Sequence, residues 1–254
     1  MTQRLAGEHV LVTGGSRGIG AAIVDKVLME GAKVTFLDID ETGGYRRIET
    51  RPAEDLLFIP ADIRSAAAIA AAASRAAGAF GPVTGLVNNA GRDSAADPVT
   101  MTEEEWDDVF SVDLKSAWMM ARAVLPGMIA AGRGSIVNIA SIHAEMTYPG
   151  AFPYAAAKSG LVGLTRSLAL EMGRRGIRVN AVSPGYVETG LVAEFFAAGG
   201  PELHEKVLAV HPLGRIGAPA DIANCVAFLL SAEANFVTGA NWAVDGGLSA
   251  RFAG

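Results

Sequence analysis

The chain has 254 residues, of which half are hydrophobic and 19% are charged, and its formal net charge at pH 7 is −6. A chain of this length suits one large domain or two small ones, and it buries roughly 70–75% of its unfolded surface. The apolar composition excludes disorder and indicates further burial in an oligomer. The acidic balance, without a basic cluster, makes nucleic acid and anionic membranes poor partners.

Short apolar strands alternate with helical segments along the chain. Continuously apolar strands separated by helices are typical of a parallel sheet that helices cover on both faces. The predicted strands are 9–13, 33–38, 56–60, 85–89, 135–140, 177–182 and 241–244. The predicted helices are 19–30, 66–77, 103–131 (as one helix or as two interrupted by Pro126), 152–173 and a last one that begins after Pro219.

Two later segments carry further expectations. Residues 188–212 are less regular, with G-G-P at 199–201, and predict an excursion between the sixth strand and the last helix. Such an insertion is either a substrate lid or a plain surface hairpin, and the sequence leaves both open. The helix at 152–173 is apolar or small nearly all round, so we expect it to pack on the sheet with one side and on a partner subunit with the other.

A glycine-rich segment, T-G-G-S-R-G-I-G (13–20), joins the first strand to the first helix. Gly14 permits a tight turn, while Gly18 and Gly20 permit close backbone approach and close packing of helix on strand. The amides at the start of such a helix face a pyrophosphate. In this strand–turn–helix context, the segment predicts a dinucleotide site.

Asp38 ends the second strand, eighteen residues after Gly20. A carboxylate there accepts hydrogen bonds from the adenosine ribose hydroxyls and repels a 2′-phosphate, which favours NAD over NADP. Arg17 favours NADP instead, because it places a basic side chain in the loop. We give Asp38 more weight because it is expected at the ribose itself, with the alternative that it is only a strand-end or cap residue.

Tyr154 and Lys158 lie four residues apart in Y-A-A-A-K, and Ser141 precedes Tyr154 by thirteen positions. Positions i and i+4 share one face of a helix, so the phenol and the ammonium point into the same cleft. A nearby cation favours the phenolate and lowers a pKa that is ordinarily near 10. A serine hydroxyl can hydrogen-bond the same substrate oxygen. Together the three residues predict general acid–base chemistry at a carbonyl or alcohol.

Cys225 is the single cysteine, and it lies in the apolar run A-N-C-V-A-F-L-L. It is interpreted as a small buried hydrophobe and not as a nucleophile, and one cysteine can form neither a disulfide nor a cysteine-based metal site. The start of the chain has no apolar signal region, and no stretch approaches the length of a membrane span. A reducing, cytoplasmic setting is expected.

These motifs together resemble the short-chain dehydrogenase/reductase family over nearly the whole chain. The glycine-rich segment is similar to the family's T-G-x-x-x-G-x-G loop, and Ser141 with Y-x-x-x-K is similar to its catalytic residues. Further similarities are N-N-A-G (88–91), P-G (184–185) followed by Thr189, and V-D-G-G (244–247). The resemblance implies a single Rossmann-type α/β domain over 1–254 with a doubly wound, parallel, seven-stranded sheet, assembled as a homotetramer.

The resemblance also implies roles. Tyr154 would donate or accept the proton, Lys158 would lower its pKa and bind the nicotinamide ribose, and Ser141 would orient the substrate oxygen. The reaction would be hydride transfer between a nicotinamide and an alcohol or ketone carbon, without a metal. The expected cofactor contacts are Gly14, Ser16, Arg17, Gly18, Ile19, Asp38, Asp62, Ile63, Asn89, Ala90, Gly91, Tyr154, Lys158, Pro184, Gly185, Val187 and Thr189.

One position departs from the family pattern. The family has a catalytic asparagine in the helix after the fourth strand, and V-F-S-V-D-L places Asp113 there. An ionised aspartate accepts hydrogen bonds but cannot donate them, and it adds a charge near Lys158. We expect activity to survive with an altered pH profile, with the alternative that Asp113 is a conservative variant without special meaning.

The substrate is expected to be a small molecule bound by the segments 92–97, 142–152 and 186–212. In addition to Ser141 and Tyr154, the candidate substrate residues are Arg92, His143 and Glu145, whose polar groups suit a sugar or polyol. An alternative is a 3-oxoacyl thioester reductase using NADPH, against which Asp38 and the acidic charge count. A third interpretation, a silent nucleotide-binding sensor, conflicts with the intact catalytic residues.

Overall fold

Residues 3–50 and 54–251 are described by the computed structural model. Within those residues, seven strands form one sheet in the order β3-β2-β1-β4-β5-β6-β7, and every neighbouring pair is parallel. The predicted doubly wound Rossmann-type α/β fold is confirmed. The strands are β1 (His9–Thr13), β2 (Lys33–Asp38), β3 (Leu56–Pro60), β4 (Gly85–Asn88), β5 (Gly134–Ile139), β6 (Ile177–Pro184) and β7 (Asn241–Val244).

Eight α-helices lie in the described part of the chain. They are α1 (Gly18–Met29), α2 (Glu41–Thr50), α3 (Ala66–Phe80), α4 (Glu103–Phe110), α5 (Ser116–Ala131), α6 (Tyr154–Met172), α7 (Gly190–Val210) and α8 (Pro219–Leu230).

The strands are apolar on both faces because each face supports its own core. Val10 and Val12 of β1 pack with α1 and α8, whereas Leu11 between them packs with α3 and α5. Successive side chains of a strand point to opposite faces, so an uninterrupted apolar run fills both layers. All three side chains are fully buried.

The helix after β2 was not predicted. Its sequence, E-T-G-G-Y-R-R-I-E-T, is polar and carries two glycines, both of which argue against a helix. The structure gives a packing reason for one of them. A Cβ at Gly44 would lie 2.2 Å from the ring of Phe58 in β3, so only glycine lets α2 approach the sheet this closely.

The excursion predicted at 188–212 is largely helical. Thr189 caps α7 by accepting a hydrogen bond from the Val192 N–H at 3.3 Å. The helix breaks at Gly200, whose φ of +74° is left-handed, and Pro201 starts its second half. The glycine and proline that indicated irregular structure therefore mark a kink between two helical segments.

The break predicted at Pro126 lies elsewhere. Pro126 is inside α5, and the irregularity is a π-helical turn, Ser111–Lys115, between α4 and α5. A π turn inserts an extra residue and commonly occurs at functional sites. Here it carries Asp113.

Candidate active site

The strand order reverses between β1 and β4. In open α/β sheets, ligands bind in a crevice outside the carboxyl ends of the strands at this reversal point. The glycine loop occupies it. Gly14 and Gly18 have φ of +67° and +56°, and a Cβ at Gly20 would lie 1.9 Å from the Gly14 carbonyl oxygen. The loop therefore requires glycine at these positions, both for its backbone angles and for its contact with α1.

The second motif, N-N-A-G, is bound directly to the glycine loop. The Asn89 amide nitrogen donates to the carbonyls of Thr13 and Gly14 at 2.9 and 3.0 Å. The backbone N–H groups of Asn89 and Ala90 both donate to the Thr13 hydroxyl at 3.0 Å. Thr13 is a residue that the sequence analysis left out, although its place at the end of β1, beside the glycines, marked it.

Asp38 faces the same loop. Its carboxylate accepts from the Ser16 N–H at 2.9 Å and from the Asp40 N–H at 3.0 Å. The Ser16 hydroxyl is buried and has no hydrogen-bond partner among the described residues. An unpaired buried hydroxyl beside an acidic strand end fits the ribose and pyrophosphate of a dinucleotide, whose oxygens would satisfy it. Arg17 is exposed.

The remaining predicted cofactor positions lie on several different elements. A Cβ at Gly18 would lie 3.4 Å from the Thr189 methyl, so the start of α7 meets the glycine loop. Val187 is buried and forms an isolated parallel bridge with Gly217. Asp62 is paired with Arg64 at 2.7 Å, which lowers the pKa of its carboxyl. Of the other predicted positions, Ile19 lies in the first turn of α1 and Pro184 ends β6, whereas Ile63, Gly91 and Gly185 lie in the segments between elements.

The structure brings Ser141, Tyr154 and Lys158 together. Tyr154 is the first residue of α6, and Lys158 lies one turn later with Nζ 5.4 Å from the centre of the phenol ring. Ser141 follows β5 and contacts Tyr154 through its side chain. The Lys158 ammonium donates to the Ile139 carbonyl at 3.2 Å, which fixes it beneath the end of β5. A proton-transfer group, a cation and a hydroxyl thus meet at one point.

The charges of this cluster act on one another. Burial raises the pKa of Tyr154 above its ordinary value, and the Lys158 ammonium opposes that rise. Burial by itself lowers the pKa of Lys158, but the charges of Tyr154 and Asp113 raise it, so the net shift is upward. The sequence predicted a lowered pKa for Tyr154. Burial of the phenol outweighs the opposing charge of Lys158, so its pKa is raised instead.

Asp113 lies against the same lysine. Its Oδ1 is 3.1 Å from Lys158 Nζ, and its side chain has no exposed surface. Burial raises the pKa of the Asp113 carboxyl, and the charge of Lys158 opposes the shift. A charge near Lys158 was predicted from the sequence, and in the structure this charge forms a direct ion pair with the lysine.

Of the polar residues predicted to contact substrate, two are engaged elsewhere. Arg92 forms an ion pair with Asp108. Glu145 accepts a hydrogen bond from the Asn241 amide at 3.0 Å. His143 remains at the site: its ring lies 5.9 Å from that of Tyr154, and burial lowers its pKa, which keeps the imidazole neutral at pH 7.

A cavity of about 350 Å³ adjoins this cluster, between the segment after Ser141 and helix α7. The Tyr186 and Tyr148 hydroxyls are 3.2 Å apart across it, and both residues are ones that the sequence analysis did not single out. Their positions inside the two predicted cleft segments were the available signal. The lining residues are Ile142, His143, Met146, Thr147, Tyr148, Tyr186, Lys206, Val207, Val210 and Leu248.

No group of three or more His, Cys, Asp or Glu side chains among the described residues is arranged to hold a metal ion. No helix in the same residues is long and apolar enough to cross a membrane.

Comparison with known proteins gives consistent matches over nearly the full length. The sequence model of the family described as Enoyl-(Acyl carrier protein) reductase matches residues 14–249. The 2-(S)-hydroxypropyl-CoM dehydrogenase 3 of Xanthobacter autotrophicus is 41% identical, covering 98% of this chain and 100% of the relative. The 3-oxoacyl-[acyl-carrier-protein] reductase FabG of Vibrio cholerae is 39% identical, covering 96% of this chain and 98% of the relative.

Solved structures agree with the sequence matches. A provisional gluconate dehydrogenase from Agrobacterium tumefaciens superposes with a TM-score of 0.93 at 30% identity, covering 99% of this chain and 100% of that one. Levodione reductase superposes with a TM-score of 0.91 at 33% identity, covering 98% of this chain and 100% of that one.

Proposed function

The chain belongs to the short-chain dehydrogenase/reductase family as an enzyme acting on CH–OH groups, and from this premise we propose that it transfers a hydride between NAD and a secondary alcohol or ketone carbon. One observation carries the proposal: Ser141, Tyr154 and Lys158 meet beside the crevice in which the glycine loop and Asp38 lie.

In the proposed reaction, Tyr154 takes the hydroxyl proton as the alcohol is oxidised and returns it when the ketone is reduced. Lys158 stabilises the phenolate that this requires, because an adjacent cation favours the charged form of a phenol. Ser141 donates a hydrogen bond to the reacting oxygen, where negative charge develops. The glycine loop and Asp38 would hold the dinucleotide, which would supply the hydride acceptor or donor.

We propose NAD as the coenzyme. Asp38 supports this choice, since a carboxylate at the adenosine ribose accepts hydroxyl hydrogen bonds and repels the additional phosphate of NADP. NADPH is the alternative coenzyme. It is supported by the similarity to the 3-oxoacyl reductase of Vibrio cholerae, because 3-oxoacyl thioester reductases are expected to use NADPH. The exposed Arg17 in the glycine loop is the basic group that such a preference would use.

The side chains that line the cleft favour a less polar substrate than the sugar or polyol predicted from the sequence. A sugar or polyol stays a prediction, supported by a structural neighbour described as a provisional gluconate dehydrogenase. Its support from this chain is weaker, because Arg92 and Glu145 are bound to other protein groups. The cavity walls are mostly aliphatic and aromatic, so we propose a secondary alcohol or ketone whose reacting end is polar and whose body is apolar.

Steady-state oxidation with NAD and NADP in parallel tests the proposal. The substrate panel contains aliphatic and cyclic secondary alcohols, aldoses and polyols, and the reverse assay uses a 3-oxoacyl thioester. We expect turnover of secondary alcohols with apolar bodies and a higher kcat/KM with NAD than with NADP. Turnover confined to polyols would return the substrate to the sugar hypothesis. NADPH-dependent reduction of the thioester alone would contradict both the coenzyme and the substrate proposed here.

The assembly and its setting are also proposals. A homotetramer is supported by exposed apolar side chains on the surface, including Leu170 of α6, which is 84% exposed, and Trp118 of α5, which is 43% exposed. The outward positions of α6 are mixed, since they are Ala156, Ser159, Gly163, Arg166, Ser167, Leu170 and Glu171. A cytoplasmic location stays an expectation from composition.

A further inference from the structure

A carboxylate replaces a neutral amide in the cluster around Lys158. Asp113 is held there by the π-helical turn, with its side chain fully buried and Oδ1 3.1 Å from the lysine ammonium. The family pattern has asparagine at this position. An amide accepts a hydrogen bond from the ammonium through its oxygen, keeps N–H donors and is neutral. An ionised carboxylate also accepts that hydrogen bond, but it has no donor and adds a negative charge to the site.

The ion pair is enclosed by its neighbours. A Cβ at Gly91 would lie 2.7 Å from Asp113 Oδ1 and 3.2 Å from Lys158 Nζ, so only glycine leaves room for the pair. The Arg92 N–H donates to the same Oδ1 at 3.3 Å. The other oxygen, Oδ2, is buried and has no hydrogen-bond partner among the described residues. Charges in such an enclosed setting interact more strongly than charges in water.

Several other charged groups act on the cluster. The Arg92 side chain adds a positive charge toward Asp113. Asp93 adds a negative charge toward Tyr154, as Asp113 does. The neutral ring of His143 lies beside Tyr154, and Lys115 is exposed on the same π turn as Asp113. Of these acidic side chains, only Asp113 contacts the lysine that stabilises the phenolate.

Resting on the proposed function, we propose that Asp113 is an ionised positioning residue whose buried ion pair holds Lys158 in place and sets the pH range in which Tyr154 exchanges a proton. The negative charge of Asp113 has two consequences, one for Lys158 and one for Tyr154. The negative charge of Asp113 favours the charged form of Lys158, so the lysine keeps its proton to a higher pH. The same charge disfavours the phenolate of Tyr154, so the base forms at a higher pH.

Removal of this charge is therefore expected to lower the pKa of Tyr154 and the pKa of Lys158, which set the two limits of the pH profile. In Asp113→Asn, Tyr154 ionises at lower pH and Lys158 also loses its proton at lower pH. We expect the whole profile of kcat/KM against pH, for alcohol oxidation, to move toward acid by about one unit, the size of shift that one buried charge produces. Asp113→Ser removes the same charge with a smaller side chain, and the profile is expected to shift in the same direction.

The matched control is Asp107→Asn, which makes the same change of net charge at an exposed position of α4. Its profile is expected to superpose on that of the wild type. Unchanged profiles in both Asp113 variants would overturn the proposal, because they would mean that the carboxyl is neutral in the native enzyme. A shift toward alkaline pH would overturn it as well.

A measurement without turnover separates this proposal from the proposed function. The ultraviolet difference spectrum between the wild type and Tyr154→Phe, recorded against pH, follows ionisation of the Tyr154 phenol directly. Repeated in the Asp113→Asn background, the midpoint is expected at lower pH by the same amount. An unchanged midpoint would overturn the proposal, whether or not a substrate has been found.

Discussion

Asp38 is the residue on which the coenzyme proposal depends. Replacing it with asparagine keeps an acceptor for the Ser16 N–H but removes the charge that would repel a 2′-phosphate. Hydrogen bonds to charged groups contribute about 1.5–3 kcal/mol, so we expect the kcat/KM ratio of NAD to NADP to fall by about 10- to 100-fold. Glu41→Gln, an equal charge change three positions away on α2, serves as the control, and its ratio is expected to stay at the wild-type value.

An unchanged ratio in Asp38→Asn would mean that the carboxylate serves only to hold the glycine loop. In that case thermal stability would fall without any change in coenzyme preference.

Among individual residues, the sequence predicted correctly those whose chemical roles are brought together by regular spacing along a helix or strand. Tyr154 and Lys158 meet because i and i+4 share a helix face, and Ser141 reaches them because β5 ends beside the start of α6. Sequence reasoning did less well where a side chain has competing partners. Arg92 and Glu145 are polar cleft residues by position, yet partners distant in sequence, Asp108 and Asn241, engage them. Spacing along a chain gives no information about such partners.

Among the helices, α1 is linked to the segment before β1 by an ion pair between Glu30, at its carboxyl end, and Arg4. The Glu30 carboxylate accepts from the Arg4 guanidinium at 2.7 Å and pairs with Lys26 at 2.8 Å. The Arg4 and Lys26 hydrogen bonds lower the pKa of Glu30 to about 2. A depressed carboxyl pKa stabilises the fold above its unfolded value near 4.5, and that stability is lost as pH falls toward 2.

Glu30→Gln tests this linkage. We expect the variant to lower the free energy of unfolding by about 1–2 kcal/mol at pH 7, measured with urea, since one charge-assisted pair is lost and its partners are partly solvated. The difference between wild type and variant is expected to shrink as pH falls from about 4.5 toward 2. Glu49→Gln, at an exposed position of α2, is the control. A difference that stays constant over this pH range would contradict the assignment.

The errors in element prediction have local causes. Helix α2 was not predicted, and its two glycines disfavour a helix, whereas the structure shows that Gly44 is required by contact with Phe58. Helix α7 was expected to be irregular because Gly200 and Pro201 lie inside it, and they produce only a kink. The π turn at Ser111–Lys115 had no sequence signal, because its residues are compatible with an ordinary helix. For α2, tertiary packing decided the outcome.

For the whole molecule, the homotetramer proposal predicts a mass four times the 26.2 kDa of the chain in sedimentation analysis. Leu170 of α6 is 84% exposed, which costs free energy unless a partner covers it. We expect Leu170→Glu to reduce the sedimenting mass, because it would bury an unpaired charge in the interface. Ala79→Glu, the same new charge at an exposed site on α3, is the control and is expected to leave the mass unchanged.

A monomeric wild type would contradict the assembly. A tetramer that Leu170→Glu leaves intact would place the interface on another face.

The central claim is that Tyr154 is the acid–base group of a hydride-transfer enzyme and not a remnant in a nucleotide sensor. The measurement that tests it most directly compares NADH formation by the wild type and by Tyr154→Phe on an alcohol that the wild type oxidises, together with NADH binding by both proteins. Loss of general acid–base catalysis costs typically 10²- to 10⁴-fold, so we expect kcat to fall by about 100-fold or more while NADH binds with similar affinity. NADH binding by both proteins with undiminished turnover in the variant would contradict the claim. A wild type that binds NADH and oxidises none of the alcohols would favour the sensor.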